Sequence, residues 1–186
     1  MSNITSLLDT NPDHYDIFIK AGEVAKDQEL SCYLVGGYVR DKLLNRNSSD
    51  IDIMVEGDAI PYAKILGREL GVPKIVEFKE FGTARIPYEK FEIEVSSARS
   101  ESYTKDSRNP KVELSTFKDD MSRRDFTVNA IAASIHPDSF GDLHDPFGGI
   151  KDLHRGLIIT PLDPDSTFDD DPLRMLRAIR FSAQLN

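Results

Sequence analysis

The chain holds 186 residues, 39% of them hydrophobic, and carries a formal net charge of −9. That length accommodates one domain with a substantial core, or one domain and the start of a second. No apolar run approaches the roughly 20 residues that span a bilayer, Met1 to Asn11 shows no signal-peptide pattern, and a single cysteine, Cys32, excludes an internal disulfide and a cysteine-rich zinc site. The expectation is a cytoplasmic protein without a membrane partner. Its acidity argues against a broad groove for a long nucleic acid. Local clusters at Arg123-Arg124 and at Arg174, Arg177 and Arg180 fit a small basic pocket instead. The histidines, His14, His136, His144 and His154, show no metal-ligand spacing.

In chain order, Ile17, Phe18, Ala21, Val24 and Ala25 predict an amphipathic helix over 15–26. A strand over 33–35 ends in Gly36-Gly37, where the missing side chains let the backbone approach a ligand. A helix over 38–44 then aims free N–H groups at an anion, and Arg40 adds a charge-assisted contact. After a polar turn comes a strand over 51–55. Alternate strand residues share a face, so Asp50 and Asp52 point together while Ile51 and Ile53 enter the core. Adjacent carboxylates repel unless a cation neutralises them, and hard oxygen ligands with room for substrate phosphates suit Mg²⁺.

Asp58 is placed to cap the next helix, which Gly71 and Pro73 stop. Strands are predicted over 74–78, 83–87 and 91–96, and the polar stretch 98–112 reads as an exposed mobile loop beside the site. Residues 117–135 read as one helix. Residues 136–149, rich in Pro and Gly, then separate a second unit. A helix over 171–184 has Leu173, Leu176, Ile179 and Phe181 as its apolar side, and there Asp171 and Arg174 would share a face. The fold class is α/β, a mixed sheet of about five strands backed by helices. The expected division is 1–136 for the first unit and 137–186 for a linker and the start of a second.

Gly36-Gly37 followed by Asp50-x-Asp52 resembles the nucleotidyltransferase core of the DNA polymerase beta type. Three further segments make the resemblance specific: Arg123-Arg124-Asp125-Phe126-Thr127-Val128-Asn129-Ala130, Asp145-Pro146-Phe147-Gly148-Gly149, and the run from Asp171 to Phe181. They are similar to the ordered signature motifs of class II tRNA nucleotidyltransferases and bacterial poly(A) polymerases, over about Tyr33 to Leu185. One departure is Asp170-Asp171, where the family usually has Glu-Asp.

The resemblance implies a polymerase-beta-like head followed by a piece of helical neck. More neck, body and tail would lie beyond Asn186, and RNA extension by this piece alone would be weak or absent. It implies that Asp50 and Asp52 bind two Mg²⁺ ions, with Glu94 as the candidate third carboxylate. Gly36, Gly37 and Arg40 would hold the triphosphate, and Arg124 and Asp125 would contact the nucleotide and its sugar. Asp171 and Arg174 would read the base edge, with Arg177 and Arg180 also facing the nucleotide. The implied reaction is attack of an RNA 3′-hydroxyl on the α-phosphate of CTP or ATP, with pyrophosphate leaving and a tRNA 3′ end as acceptor. CCA addition, partial CCA addition and poly(A) addition all fit these motifs. A non-catalytic nucleotide- or RNA-binding module is the reading from another class, and it has no use for paired metal-binding carboxylates.

Overall fold

In a computed structural model, the described residues are 2–104 and 107–185, with side chains described for these except within 101–111. Helix α1 (Thr5–Leu8) precedes α2 (Pro12–Asp27), whose N-terminus Asn11 caps by accepting from the Asp13 and His14 amides. Then come β1 (Cys32–Val35), α3 (Gly37–Leu43), β2 (Ile51–Val55) and α4 (Ala59–Glu69). Asp58 caps α4 as expected, its carboxylate 3.0 Å from the Ile60 amide. Strands β3 (Val76–Phe78), β4 (Thr83–Tyr88) and β5 (Phe91–Ser97) follow.

The sheet is mixed, in the order β3-β4-β5-β2-β1-β8-β9, where β8 is Ala132–Ser134 and β9 is Leu143–His144. It has seven strands where about five were expected. Strands β2 and β5 run parallel, with Asp52 in register with Glu94. Ile51, Ile53, Val55, Ile93 and Val95 pack with Phe18 and Ala21 of α2 and Tyr62 and Leu66 of α4 in a fully buried core. Alternation therefore turns Asp52, Glu94 and Ser96 to the opposite face, where a cleft opens.

Three expectations need correction. Residues 117–135 do not form one helix. Thr116 and Asp119 make a reciprocal capping box for α5 (Phe117–Ser122), but the chain then extends, makes a 3-10 turn at Thr127–Asn129 and enters β8. Every residue of β8 is buried, so no period-2 alternation marks it, and alanines read locally as helix. Second, the stretch read as a loop forms a hairpin, β6 (Arg99–Thr104) with β7 (Ser107–Leu114), pairing Arg99 with Leu114 and Glu101 with Val112. Residues 105 and 106 lie outside the described residues.

Third, Asp171 is not on the last helix. After α6 (Gly149–His154) and α7 (Pro164–Asp170), helix α8 runs Leu173–Gln184. Asp171 is extended (φ −144°, ψ 96°), because the residue before a proline is pushed out of the helical region. Its side chain and carbonyl instead accept from the Leu173 and Arg174 amides at 3.1 and 3.0 Å. Strand β9 brings residues read as linker into the sheet. Of the apolar side expected for α8, Phe181 is buried, whereas Leu173, Leu176 and Ile179 are exposed.

Candidate active site

The cleft is a cavity of about 660 Å³, and all twelve residues singled out from the sequence line it. Its floor is the sheet face that carries Asp52 and Glu94, its near wall the β1–α3 turn, and its far wall Asp171 with the arginines of α8. Although the chain is acidic overall, arginines outnumber carboxylates on these walls.

Gly36 shows why this turn needs a glycine. It has φ +68°, and a Cβ there would lie 3.1 Å from Arg124 Nη1 and 3.6 Å from Asp52 Oδ2. The turn thus joins the first two motifs at one point, with backbone, guanidinium and carboxylate in contact range.

Burial pushes the Asp52 carboxyl up to about 6, with the Glu94 charge adding to it; Arg124 opposes, Asp50 raises further and Arg85 lowers. Asp50, just before β2, is exposed and accepts from the Ser49 hydroxyl at 3.3 Å. Glu94 is engaged elsewhere, its carboxylate 3.0 Å from Arg85 Nε on the neighbouring strand. Among the described residues, no group of three or more His, Cys, Asp and Glu side chains is placed to hold a metal ion. The Asp50–Asp52 pair alone fits a hard cation that takes its remaining oxygens from substrate phosphates, since its donors are all carboxylate oxygens and like charges already strain the buried one.

The arginines are held by a layer the sequence did not single out. Asp120 is fully buried and takes Arg123 Nη2 at 2.6 Å and Arg124 Nη2 at 3.0 Å. Burial would raise its carboxyl, but the two guanidiniums outweigh that and hold it below the ordinary value. The spacing of Asp120, three and four residues before the arginines, was the available signal. Arg124 Nη1 also donates to the Asn129 carbonyl, while its Nε is buried without a hydrogen-bond partner among the described residues.

Arg40 is buried too. It donates to Asp41 at 2.9 Å and to Asn129 Oδ1 at 2.6 Å, so its guanidinium braces the turn from beneath Gly37. Both oxygens of Asp125 are engaged, Oδ1 by the Phe126 amide and Asn129, Oδ2 by Arg177 Nε and Nη2 at 2.6 Å each. Arg174 is buried and donates to the Thr167 and Arg123 carbonyls at 3.2 and 2.9 Å. Arg177 and Arg180 are exposed, flanking the Phe181 ring with centroid distances of 5.3 and 4.6 Å.

The Asp145-to-Gly149 motif stands behind the cleft and does not line it. Asp145 accepts from the Gly149 and Ile150 amides at 2.7 and 3.0 Å, and a Cβ on Gly149 would sit 2.0 Å from the Thr127 carbonyl oxygen. Its work is to press α6 against the turn that presents Asp125 and Asn129. No helix among the described residues is long and apolar enough to cross a membrane.

Comparison with known proteins agrees with this geometry. Residues 32–159 match the poly A polymerase head domain. The A-adding tRNA nucleotidyltransferase of Aquifex aeolicus is 46% identical over 157 residues, covering 84% of this chain and 19% of that protein. A solved apo form of a CCA-adding enzyme superposes with a TM-score of 0.87 at 38% identity, covering 98% of this chain and 43% of the other. The Thermotoga maritima CCA-adding enzyme complexed with tRNA superposes with a TM-score of 0.83, also at 38% identity, over 97% of this chain and 40% of the other. The chain therefore spans about a fifth of the first relative's length and about two fifths of each solved one. With a family match across most of its length, the chain belongs to the poly A polymerase head domain family.

Proposed function

We propose that this chain is the catalytic head of a template-independent tRNA nucleotidyltransferase that adds CCA, or part of it, to tRNA 3′ ends from CTP and ATP. The observation that carries the reading is the convergence of the Gly36 turn, Arg124 and Asp52 in one polar cleft, both side chains lying within 4 Å of the position a Cβ on Gly36 would take. That convergence would place a triphosphate against open backbone, a guanidinium and a metal-binding carboxylate at once. Arg124 Nε, buried with no hydrogen-bond partner among the described residues, would supply a donor for an anion.

Asp50 and Asp52 would hold divalent magnesium, two ions by resemblance, which when bound would neutralise charge on the attacking and leaving oxygens. The chain's own contribution is placement. The Gly36-Gly37 backbone and Arg124 would fix the phosphates so that the α-phosphorus faces the acceptor's 3′-hydroxyl and pyrophosphate leaves along the arginine wall. Arg40 would act by bracing that turn, and Asp125 by aiming Arg177. Asp171, Arg174, Arg177 and Arg180 would face the base, with Arg174 held by backbone carbonyls and Asp171 at the helix cap. Glu94 would complete a third carboxylate only by leaving Arg85.

A second reading, addition of A alone, draws support from the Aquifex relative, whose name specifies A-adding. The test is extension of tRNA lacking its terminal nucleotides by the full-length protein carrying this chain, with CTP, ATP or both. Use of both nucleotides supports CCA addition, and use of ATP alone on tRNA supports the second reading. ATP-only tailing of unstructured RNA would make it a poly(A) polymerase. Unchanged extension in an Asp50→Ala, Asp52→Ala variant would remove the carboxylate pair from the mechanism.

A further inference from the structure

We propose that Asn129 is a positioning residue that ties the phosphate half of the cleft to its base-facing half and thereby sets nucleotide discrimination. The inference rests on the nucleotidyltransferase reading above.

Asn129 closes the 3-10 turn Thr127–Asn129 and is 6% exposed. Its Oδ1 takes Arg40 Nη1 at 2.6 Å, and its Nδ2 donates to Asp125 Oδ1 at 2.9 Å. A guanidinium can only donate, and a carboxylate ion-paired with Arg177 can only accept. Both ends of the amide are thus assigned by chemistry.

The result is an unbroken run from α3 to α8: Arg40, Asn129, Asp125, Arg177. Its two ends meet again on Phe181, whose buried ring lies 5.1 Å from the Arg40 guanidinium and 5.3 Å from that of Arg177. Arg40 braces the turn expected to hold phosphates. Arg177 lies on the helix expected to face the base. Asn129 is the one neutral link between these charged pairs, and its amide is suited to it because one end meets a cation and the other an anion. Aspartate would satisfy Arg40 and repel Asp125, which would release Arg177 while leaving the phosphate turn braced.

That asymmetry gives the test. Binding of CTP, ATP, UTP, GTP and inorganic tripolyphosphate to the 186-residue chain is measured by titration calorimetry with Mg²⁺, for wild type, Asn129→Asp, and the charge-conserving exchange Asn129→Asp with Asp125→Asn. In Asn129→Asp the preference for CTP and ATP over UTP and GTP should fall about tenfold, the worth of one hydrogen bond to a charged group. Tripolyphosphate affinity should change by less than about threefold on the same scale. The exchange rebuilds the donor–acceptor order, losing the Phe126 amide contact and turning the Arg177 ion pair into a hydrogen bond to a neutral amide oxygen, and should recover most of the preference.

Unaltered preference in Asn129→Asp overturns the proposal, as does equal weakening of tripolyphosphate and nucleotides that the exchange does not repair. If Asn129→Asp does not fold, the exchange decides. A folded exchange variant with recovered preference supports the link, and any other result overturns it. Wild type that binds neither nucleotide nor tripolyphosphate would instead overturn the reading on which the proposal rests.

Discussion

Replacing Gly36 with alanine adds one methyl group at the point where three parts of the cleft converge. The backbone there has φ +68° and ψ −135°, a region essentially reserved for glycine, so an L-residue in it costs on the order of 1–3 kcal/mol. The methyl would also lie 3.1 Å from Arg124 Nη1. Arg124 cannot yield freely, because Asp120 and the Asn129 carbonyl hold it. Gly71 separates the two effects. It has φ +76° with nothing within 4 Å of its Cβ position, so Gly71→Ala carries the backbone cost without the contact. Urea unfolding should show Gly36→Ala losing on the order of 1–3 kcal/mol and Gly71→Ala about 1–2 kcal/mol. Calorimetric titration with CTP and Mg²⁺ should show Gly36→Ala binding about tenfold more weakly, the loss of one charge-assisted contact, with Gly71→Ala near wild type. Equal binding by the two variants would refute the idea that the glycine serves the ligand and not the turn alone.

Two other perturbations address the charges beneath the cleft. Asp120→Asn leaves Arg123 and Arg124 without their buried counter-ion and should cost about 3–5 kcal/mol in chemical unfolding at neutral pH; a loss under about 1 kcal/mol would contradict its anchoring role. Because the Asp120 carboxyl is held below its ordinary value, that loss should fade as pH falls through the acidic carboxylate range. Asp52 behaves in the opposite sense. Its folded carboxyl stands at about 6 against an ordinary 3.8, so its contribution to stability is full below 3.8 and is lost as pH rises through about 6. Without divalent ions, Asp52→Asn should therefore gain on wild type between pH 4 and 7 by roughly 3 kcal/mol. A difference independent of pH would show that Asp52 carries no such strain.

The cleft was legible in the sequence to the extent that its signals are local. A strand ending in two glycines and a strand bearing Asp-x-Asp each state their geometry within a few residues, and both elements formed where their pattern placed them. Asp58 announced its cap in the same way. The segment after Ser122 was illegible because its structure is set from outside. Asp125 and Asn129 bond across a 3-10 turn, Gly149 presses on Thr127 from another helix, and β8 is buried throughout, so no periodicity survives to be read. The wall formed by Asp171 and α8 was legible as a set of residues but not as a geometry. Pro172 takes Asp171 off the helix, and Asp125, Thr167 and Arg123 occupy arginines that spacing alone presents as free to face a ligand. Asp120, three and four residues before Arg123 and Arg124, has the spacing of a surface ion pair, and only its complete burial shows otherwise.

The most direct test of the proposed reaction site is a crystal structure of this chain with CTP or ATP and Mg²⁺. The expected density places the triphosphate against Gly36-Gly37 and Arg124, metal between its oxygens and Asp50 and Asp52, and the base toward Asp171 and the arginines of α8. A triphosphate bound away from the Gly36 turn, or metal bound without either aspartate, would contradict it.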